Sequence, residues 1–345
     1  LSLSDLGGGT FSITWLDNNT EADHIEIYGN IASGGTNLLT TVLTGVQTYD
    51  YATGSMSGID VKIKLRAKEG TLPVYSSFTS EVDIKLAATY DSDASALFAR
   101  MTAITGETLT DARKVIINAA FTLGKTKAFW AKTDCIWTLA AHGEASHLMN
   151  WLGTGYTLIQ SATKPTFTMD RGGAGNGSTS YYRTQYSPGV GGKKFTLNSA
   201  SLGGYSRTSG SDATYGRIMG ALSSTAVITQ IAPDAGGTTY VRINTQDLGS
   251  IADTSGAGLY ILTKTGGTTA TLYIGTTPHS YASSSTSLPT ELLICASWDY
   301  QHNIAYPSAR QVAFAIFGSG FTQQDITDIF AVFVTGYLTS IGANV

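Results

Sequence analysis

The stretch DRGGAGNGSTSYYRT, residues 170–184, sets four glycines, an asparagine and several hydroxyl side chains behind one Asp–Arg pair. A glycine-rich loop cradles phosphate when it reads Gly-x-x-x-x-Gly-Lys-Ser/Thr between a strand and a helix. Backbone N–H groups, the lysine and the helix N-terminus then converge on the anion. Gly172 and Gly177 keep the glycine spacing, but Ser178 stands where lysine is required, and the strand-like SYYRTQY follows instead of a helix. A calcium loop needs several converging oxygen ligands, and Asp170 is the only acid in the stretch. The segment therefore reads as a tight connection in which glycine supplies positive φ and Asn176–Gly177 turns the chain. Asp170 and Arg171 are expected to bond to the loop backbone or to each other. Contact with a sugar is the alternative.

Three other patterns could carry chemistry. HGEASH, residues 142–147, resembles a zinc-protease helix, but that chemistry needs two histidines four apart on one face. His142 and His147 are five apart, about 140° around a helix, so a loop or a short helix start is expected. Glycosidases need two carboxylates flanking the scissile bond, and alternate positions on one strand would supply them on one face. The acids after residue 134 are Glu144, Asp170, Asp212, Asp234, Asp247, Asp253, Glu291, Asp299, Asp325 and Asp328, and no two have that spacing. A pair assembled from distant strands is left open. No Gly-x-Ser-x-Gly elbow is present for a serine nucleophile. Tyr181, Tyr182, Tyr186, Tyr205 and Tyr215 lie in or near turn-rich segments. Exposed, they would stack on sugar rings or anchor an interface; otherwise tyrosine is simply a good strand former. No catalytic residue, metal ligand or cofactor site is assigned, and the glycan-binding residues are unknown.

The elements that must position these residues are mostly strands. The chain has 345 residues, 42% hydrophobic and only 13% charged, with 39 glycines. This is not a disordered composition, and it suits a turn-rich β protein. A net charge of −4 gives no reason to expect a nucleic-acid partner. No apolar stretch approaches the ~20 residues of a membrane span. Cys135 and Cys295 both sit in apolar runs and read as buried free thiols.

Residues 1–88 alternate with period two. Phe11, Ile13 and Trp15 share a face, as do Ile25 and Ile27, and DVKIKLRAKEG sets Val61, Ile63, Leu65 and Ala67 against Lys62, Lys64, Arg66 and Lys68. EVDIKL repeats the pattern with Val82, Ile84 and Leu86. Half-buried strands of this kind predict a β-sandwich. The basic row is expected to face Glu26, Glu81 and Asp83 on neighbouring strands, a solvated charge ladder rather than an anion site. With SITW, IEIYG and KIKLRAKE in this order, the segment resembles a fibronectin type III domain. It departs from that pattern near Lys62 or Lys64, where a tyrosine is usual.

AATYDSDAS, residues 87–95, is polar and aperiodic. It separates the 1–88 sandwich from a helical connector, 89–133. There ASALFARMTAI is a short helix. LTDARKVIINAAFTLG is a longer one, with Thr110 as N-cap, a stripe of Ala112, Val115, Ile116, Ala119 and Leu123, and Gly124 as its end. Residues 134–345 hold about a dozen short strands. ELLICASW and RQVAFAIFG are apolar on both faces, as central covered strands are. The chain closes on a helix begun by Thr322 and Asp325 as a capping box, with Ile326, Ile329, Phe330, Phe333 and Tyr337 as its apolar stripe. Many strands with one docked helix predict a jelly-roll sandwich.

From residue 95 to 342 the order of ARMT, DARK, FWAKTDCIWTLAAH, NWLG, PTFTMDRGGAGNGSTSYYRT and ARQVAFAIFGSGFT resembles structural proteins of tailed bacteriophages that carry a concanavalin A-like, laminin-G-like jelly roll. The fold class expected is thus mainly β: a fibronectin III-like sandwich, a helical connector, and a concanavalin A-like jelly roll with a C-terminal docked helix. The resemblance implies a non-enzymatic virion protein, associated with the tail or displayed on the capsid. It would bind host-surface or mucosal glycans, partner other virion proteins and form homo-oligomers on the particle surface. A purely architectural capsid decoration protein and a glycan-cleaving depolymerase are the alternatives.

Overall fold

The computed structural model describes the backbone of the strands within residues 1–89, and residues 90–345 apart from 212–214, 223–226 and 299–302. Two compact units result, Leu1–Tyr90 and Asp91–Val345.

In the first unit, Ser2–Gly7, Thr10–Thr14 and Thr48–Ala52 form one antiparallel sheet. Asn37–Leu43, His24–Ile31 and Asp60–Glu69 form the second, extended by Val74–Tyr75 and Val82–Lys85. The chain crosses between the two sheets after Thr14, after Leu43 and after Ala52. The register sets Arg66 opposite Glu26 and Lys62 opposite Asp83, the positions a cross-strand charge ladder requires. Trp15 and Glu81 lie outside the described residues.

The second unit is a sandwich of two antiparallel sheets. One runs Ile159–Gln160, Tyr182–Arg183, Leu293–Ile294, Met219–Leu222, Ile228–Ala232, Thr238–Thr245 and Gly249–Ala252. The other is centred on Gln311–Gly318, which pairs with Ser199–Ser206 along one edge. Two short strands, Gly172–Ala174 and Thr133–Trp137, follow each other along its opposite edge. Between the sheets lies an apolar core that includes Trp137, Tyr182, Tyr186, Leu202, Ile231, Val241, Ile243 and Phe317. Val312 to Phe317 are buried without a break, because the sheet's second face is also covered. There Phe314 stacks on Phe333 of the C-terminal helix at 4.6 Å. Leu292 to Ala296 are likewise fully buried. Both cysteines are free and buried, and desolvation pushes the Cys295 thiol up to about 12.

The C-terminal helix starts on the expected capping box, Thr322 with Asp325, and runs as an α-helix over Gln323–Ile329. It then becomes π-helical over Phe330–Leu338. Hydrogen bonds to the fifth residue put residues five apart on one face. The buried set therefore gains Val332, Val334 and Leu338, while Phe330 is only half-buried.

The helices within 92–132 belong to the second unit. Asp111–Lys125 starts at Thr110 as expected, its side chain accepting from the Arg113 amide. Its buried face, however, is Ile117, Ala120, Phe121 and Gly124, while Val115 and Leu123 are 44% and 43% exposed. The expected stripe is turned outward. Phe121 stacks on Trp151 at 5.4 Å with the rings nearly parallel, and one aromatic contact of this size outweighs several aliphatic edges. Gly124 does not end the helix. It leaves room for the indole of Trp130, whose ring carbons would lie 2.4 Å from a Cβ there.

Candidate functional site

In the glycine-rich stretch, residues 175–181 form a self-bonded turn between the strands Gly172–Ala174 and Tyr182–Arg183. The Asn176 side-chain carbonyl accepts from the amides of Ser178, Thr179 and Ser180 at 2.8–3.0 Å, so its donors are spent internally. Gly173 and Gly175 are required by close packing, since a Cβ would strike the Tyr182 hydroxyl and the Ser308 carbonyl. Asp170 bonds within the loop only through its backbone carbonyl. Its carboxylate pairs with Arg113 at 2.7 Å, and Arg171 donates to the carbonyls of Asp170 and Gly342.

The histidines of HGEASH diverge. His147 is fully buried, stacked on Phe167 at 4.5 Å, and desolvation pulls its pKa down to about 4 against weaker opposition from the Glu144 backbone and the Glu107 charge. His142 Nε2 lies 3.3 Å from Glu107, and its Nδ1 lies 3.4 Å from the Ser146 hydroxyl. That carboxylate–imidazole–hydroxyl order imitates a catalytic triad, but Ser146 is buried and its hydroxyl donates to the Gly143 carbonyl at 3.0 Å. A nucleophile needs both reach and a free proton, and Ser146 offers neither. Among the described residues, no group of three or more His, Cys, Asp or Glu could hold a metal ion. No helix among them is long and apolar enough to cross a membrane.

Among the described residues, two cavities with room for a ligand stand out. One, of about 600 Å³, lies among Arg100, Phe121, Trp130, Asp134, Trp151 and Lys194. Its charged groups are committed to structure. Arg100 donates to the carbonyls of Asn150 and Gly153, while Asp134 accepts from the Tyr186 hydroxyl and the Lys194 and Phe195 amides.

The second cavity, of about 440 Å³, is a groove lined by Tyr215, Arg217, Gln230, Tyr240, Arg242 and Tyr306, with Ala232 and Leu248. It lies on the outer face of the seven-stranded sheet. Period two sends Ile231, Val241 and Ile243 into the core and leaves Gln230, Ala232, Tyr240 and Arg242 on the opposite face. The register sets Gln230 beside Arg242 and Ala232 beside Tyr240. The Arg217 amide donates to the Tyr306 carbonyl at 3.0 Å, which joins the two flanking segments. Tyr215 and Tyr240 rings meet at 5.6 Å.

The polar groups here are not spent. Arg217 and Gln230 are each only 5% exposed, yet the Arg217 Nη1, Gln230 Oε1 and Arg242 Nε atoms are buried without a hydrogen-bond partner among the described residues. Among the described residues no carboxylate pairs with either guanidinium; the Tyr306 ring lies against Arg217 instead, at 3.9 Å. Burial, reinforced by the charge of Arg242, pulls the Arg217 pKa down to about 9, with Tyr306 acting in the opposite sense. Tyr215 and Tyr306 are about half exposed and hold φ of 58° and 50°. An aromatic residue in this left-handed region is strained, and such strain concentrates at ligand clamps.

Of the five tyrosines picked out by sequence, only Tyr215 reaches this groove. Tyr182, Tyr186 and Tyr205 are buried and Tyr181 is half-buried. The missed residues had one signal: TYGRI at 214–218 and TYVRI at 239–243 repeat Tyr-x-Arg, which puts a tyrosine and an arginine on one face of an extended chain.

No family model and no curated sequence matches the chain. Among solved structures it is similar to Trypanosoma rangeli sialidase in complex with sialic acid, at 9% identity and a TM-score of 0.43, over 93% of this chain and 50% of that one. A second match is the same organism's sialidase in complex with 2,3-difluorosialic acid, at 10% identity and a TM-score of 0.44, over 78% of this chain and 43% of that one. The chain thus spans about half the length of the sialidases it matches. The expectation of a non-enzymatic protein is not retained, since the matched chains are sialidases. At this level of likeness they assign no reaction to the chain. What stands is a mainly β protein of two sandwich units with one open polar-aromatic groove among the described residues.

Proposed function

We propose that this chain is a virion protein of a tailed bacteriophage that binds host-surface or mucosal glycans through the Tyr215–Tyr306 groove. The observation that carries the binding reading is the groove's composition. Exposed tyrosine rings offer apolar faces to sugar C–H groups, and buried donors and an acceptor wait for hydroxyls. Leaving such groups dry and unpaired costs free energy that a ligand's hydrogen bonds would recover. Placement on a phage particle, on the tail or the capsid, rests on the motif order from 95 to 342 described above. A sandwich suits that role because it holds loops and strand faces on a rigid frame.

The test is binding of the whole chain to a glycan array, followed by titration calorimetry on the strongest ligands. Tyr306→Asn and Tyr215→Ala are expected to weaken binding at least about tenfold, while Asn176→Ala in the self-bonded turn leaves it unchanged. Release of new reducing ends is recorded in the same samples, which reads glycosidase activity directly. Absence of glycan binding, or binding untouched by both tyrosine variants, removes the proposal. Cryo-microscopy of a purified particle tests the location.

A further inference from the structure

We infer that the groove selects acidic saccharides, seating a sugar carboxylate or sulfate between Arg217 and Arg242 while Gln230 Oε1 accepts from a neighbouring hydroxyl. This rests on the glycan-binding reading above and names the ligand class. Buried charges in proteins are paired, because an isolated one is costly to desolvate. Arg217, 95% removed from solvent, has no carboxylate partner among the described residues, and its Nη1 has no acceptor. Arg242 adds a second positive charge on the same groove, with its Nε also unpartnered. Two cations gathered without a counter-charge among the described residues repel each other, and an anion between them removes that repulsion.

The groove supplies the rest of a saccharide site and no acidic side chain of its own among the described residues. Arginine presents a planar fork that matches carboxylate and sulfate oxygens two at a time. Gly220 keeps this fork's position open, because a Cβ there would stand 3.3 Å from Arg217 Cδ and closer still to Ser297. Tyr306 covers one face of the guanidinium, so the in-plane N–H groups are the ones left to bind.

The experiment titrates the whole chain with three matched oligosaccharides: one neutral, its uronate counterpart and its sulfate ester. The acidic pair is expected to bind at least about tenfold more tightly than the neutral one, the factor that one charge-assisted hydrogen bond carries. Arg217→Gln and Arg242→Gln should each collapse that ratio toward one while neutral binding persists. The Arg242→Gln variant, at a half-buried position, keeps the test open should Arg217→Gln fail to fold. Uronate against sulfate separates the two sources of the charge. Equal affinity for neutral and acidic ligands overturns the inference and leaves the glycan-binding reading standing. So does an acidic preference that survives both substitutions. Tyrosine variants that change nothing overturn the underlying reading instead.

Discussion

The Arg217 guanidinium carbon lies 3.9 Å from the centroid of the Tyr306 ring, and the same two residues are tied by a backbone hydrogen bond of 3.0 Å. Tyr306 thus shields a charge that has no acid partner among the described residues, while its own backbone sits at φ 50°. These effects oppose each other in stability. A cation–π contact of this kind contributes about 0.5–2 kcal/mol, and a left-handed non-glycine residue costs about 1–2 kcal/mol. Tyr306→Asn removes both, since asparagine tolerates that region. Folding free energy should therefore shift by less than about 1 kcal/mol in urea titration, although glycan affinity falls. A loss of several kcal/mol would mean that the ring is a core element and not a clamp.

His147 should give the second unit an acid-sensitive step. Its pKa is near 4 when buried and about 6.5 unfolded, so the unfolded chain binds the proton more readily. The stability it contributes is whole above pH 6.5 and drains away as pH falls toward 4. Between pH 7 and pH 5 the loss amounts to about 2 kcal/mol. His142, also lowered chiefly by burial, acts in the same sense. His147→Phe keeps a flat ring against Phe167 and cannot titrate. Its urea midpoint should change much less over that pH interval than the midpoint of the natural chain.

The legible part of the fold was whatever period two or a cap could announce. The double-faced burial of 311–318, the capping box at Thr322 and the free cysteines all follow from local pattern. The buried face of Asp111–Lys125 did not, because the helix carries two interleaved apolar stripes and aliphatic count favoured the wrong one. Only the partners Trp130, beyond the end of the helix, and Trp151, farther along the chain, break the tie. The groove was illegible for a related reason. Its residues come from five separate segments, and each is an ordinary strand or turn residue until the sheet register sets Gln230 beside Arg242. Burial without a partner, the property that marks the site, exists only in the fold.

Asn176 tests the reading of the glycine-rich stretch. Its side-chain oxygen gathers three amides, and its Nδ2 donates to the Thr179 hydroxyl at 3.1 Å. Asn176→Ala removes these together, and because the Ser178 and Thr179 amides are exposed to water the cost is about 0.5–1.5 kcal/mol. Thermal or urea unfolding should register this loss with glycan affinity unaltered. Altered binding at constant stability would instead make the loop a ligand site.

Gly124 and Leu123 discriminate between the two faces of the helix Asp111–Lys125. In an exposed helix interior, glycine to alanine gains about 1 kcal/mol from propensity. At Gly124 a methyl group would meet Trp130 ring carbons at 2.4 Å. That indole cannot simply swing away, because it packs edge-on against Phe121 and Phe129 at 5.4 and 6.0 Å. Overpacking of this kind costs about 1–3 kcal/mol, so the clash outweighs the propensity gain. Gly124→Ala is expected to destabilise the unit and to perturb the near-UV circular dichroism of its tryptophans. Leu123→Lys, one residue away and facing solvent, should be neutral within about 0.5 kcal/mol. The reverse order of the two variants would restore the stripe of Ala112, Val115, Ile116, Ala119 and Leu123 as the packed face.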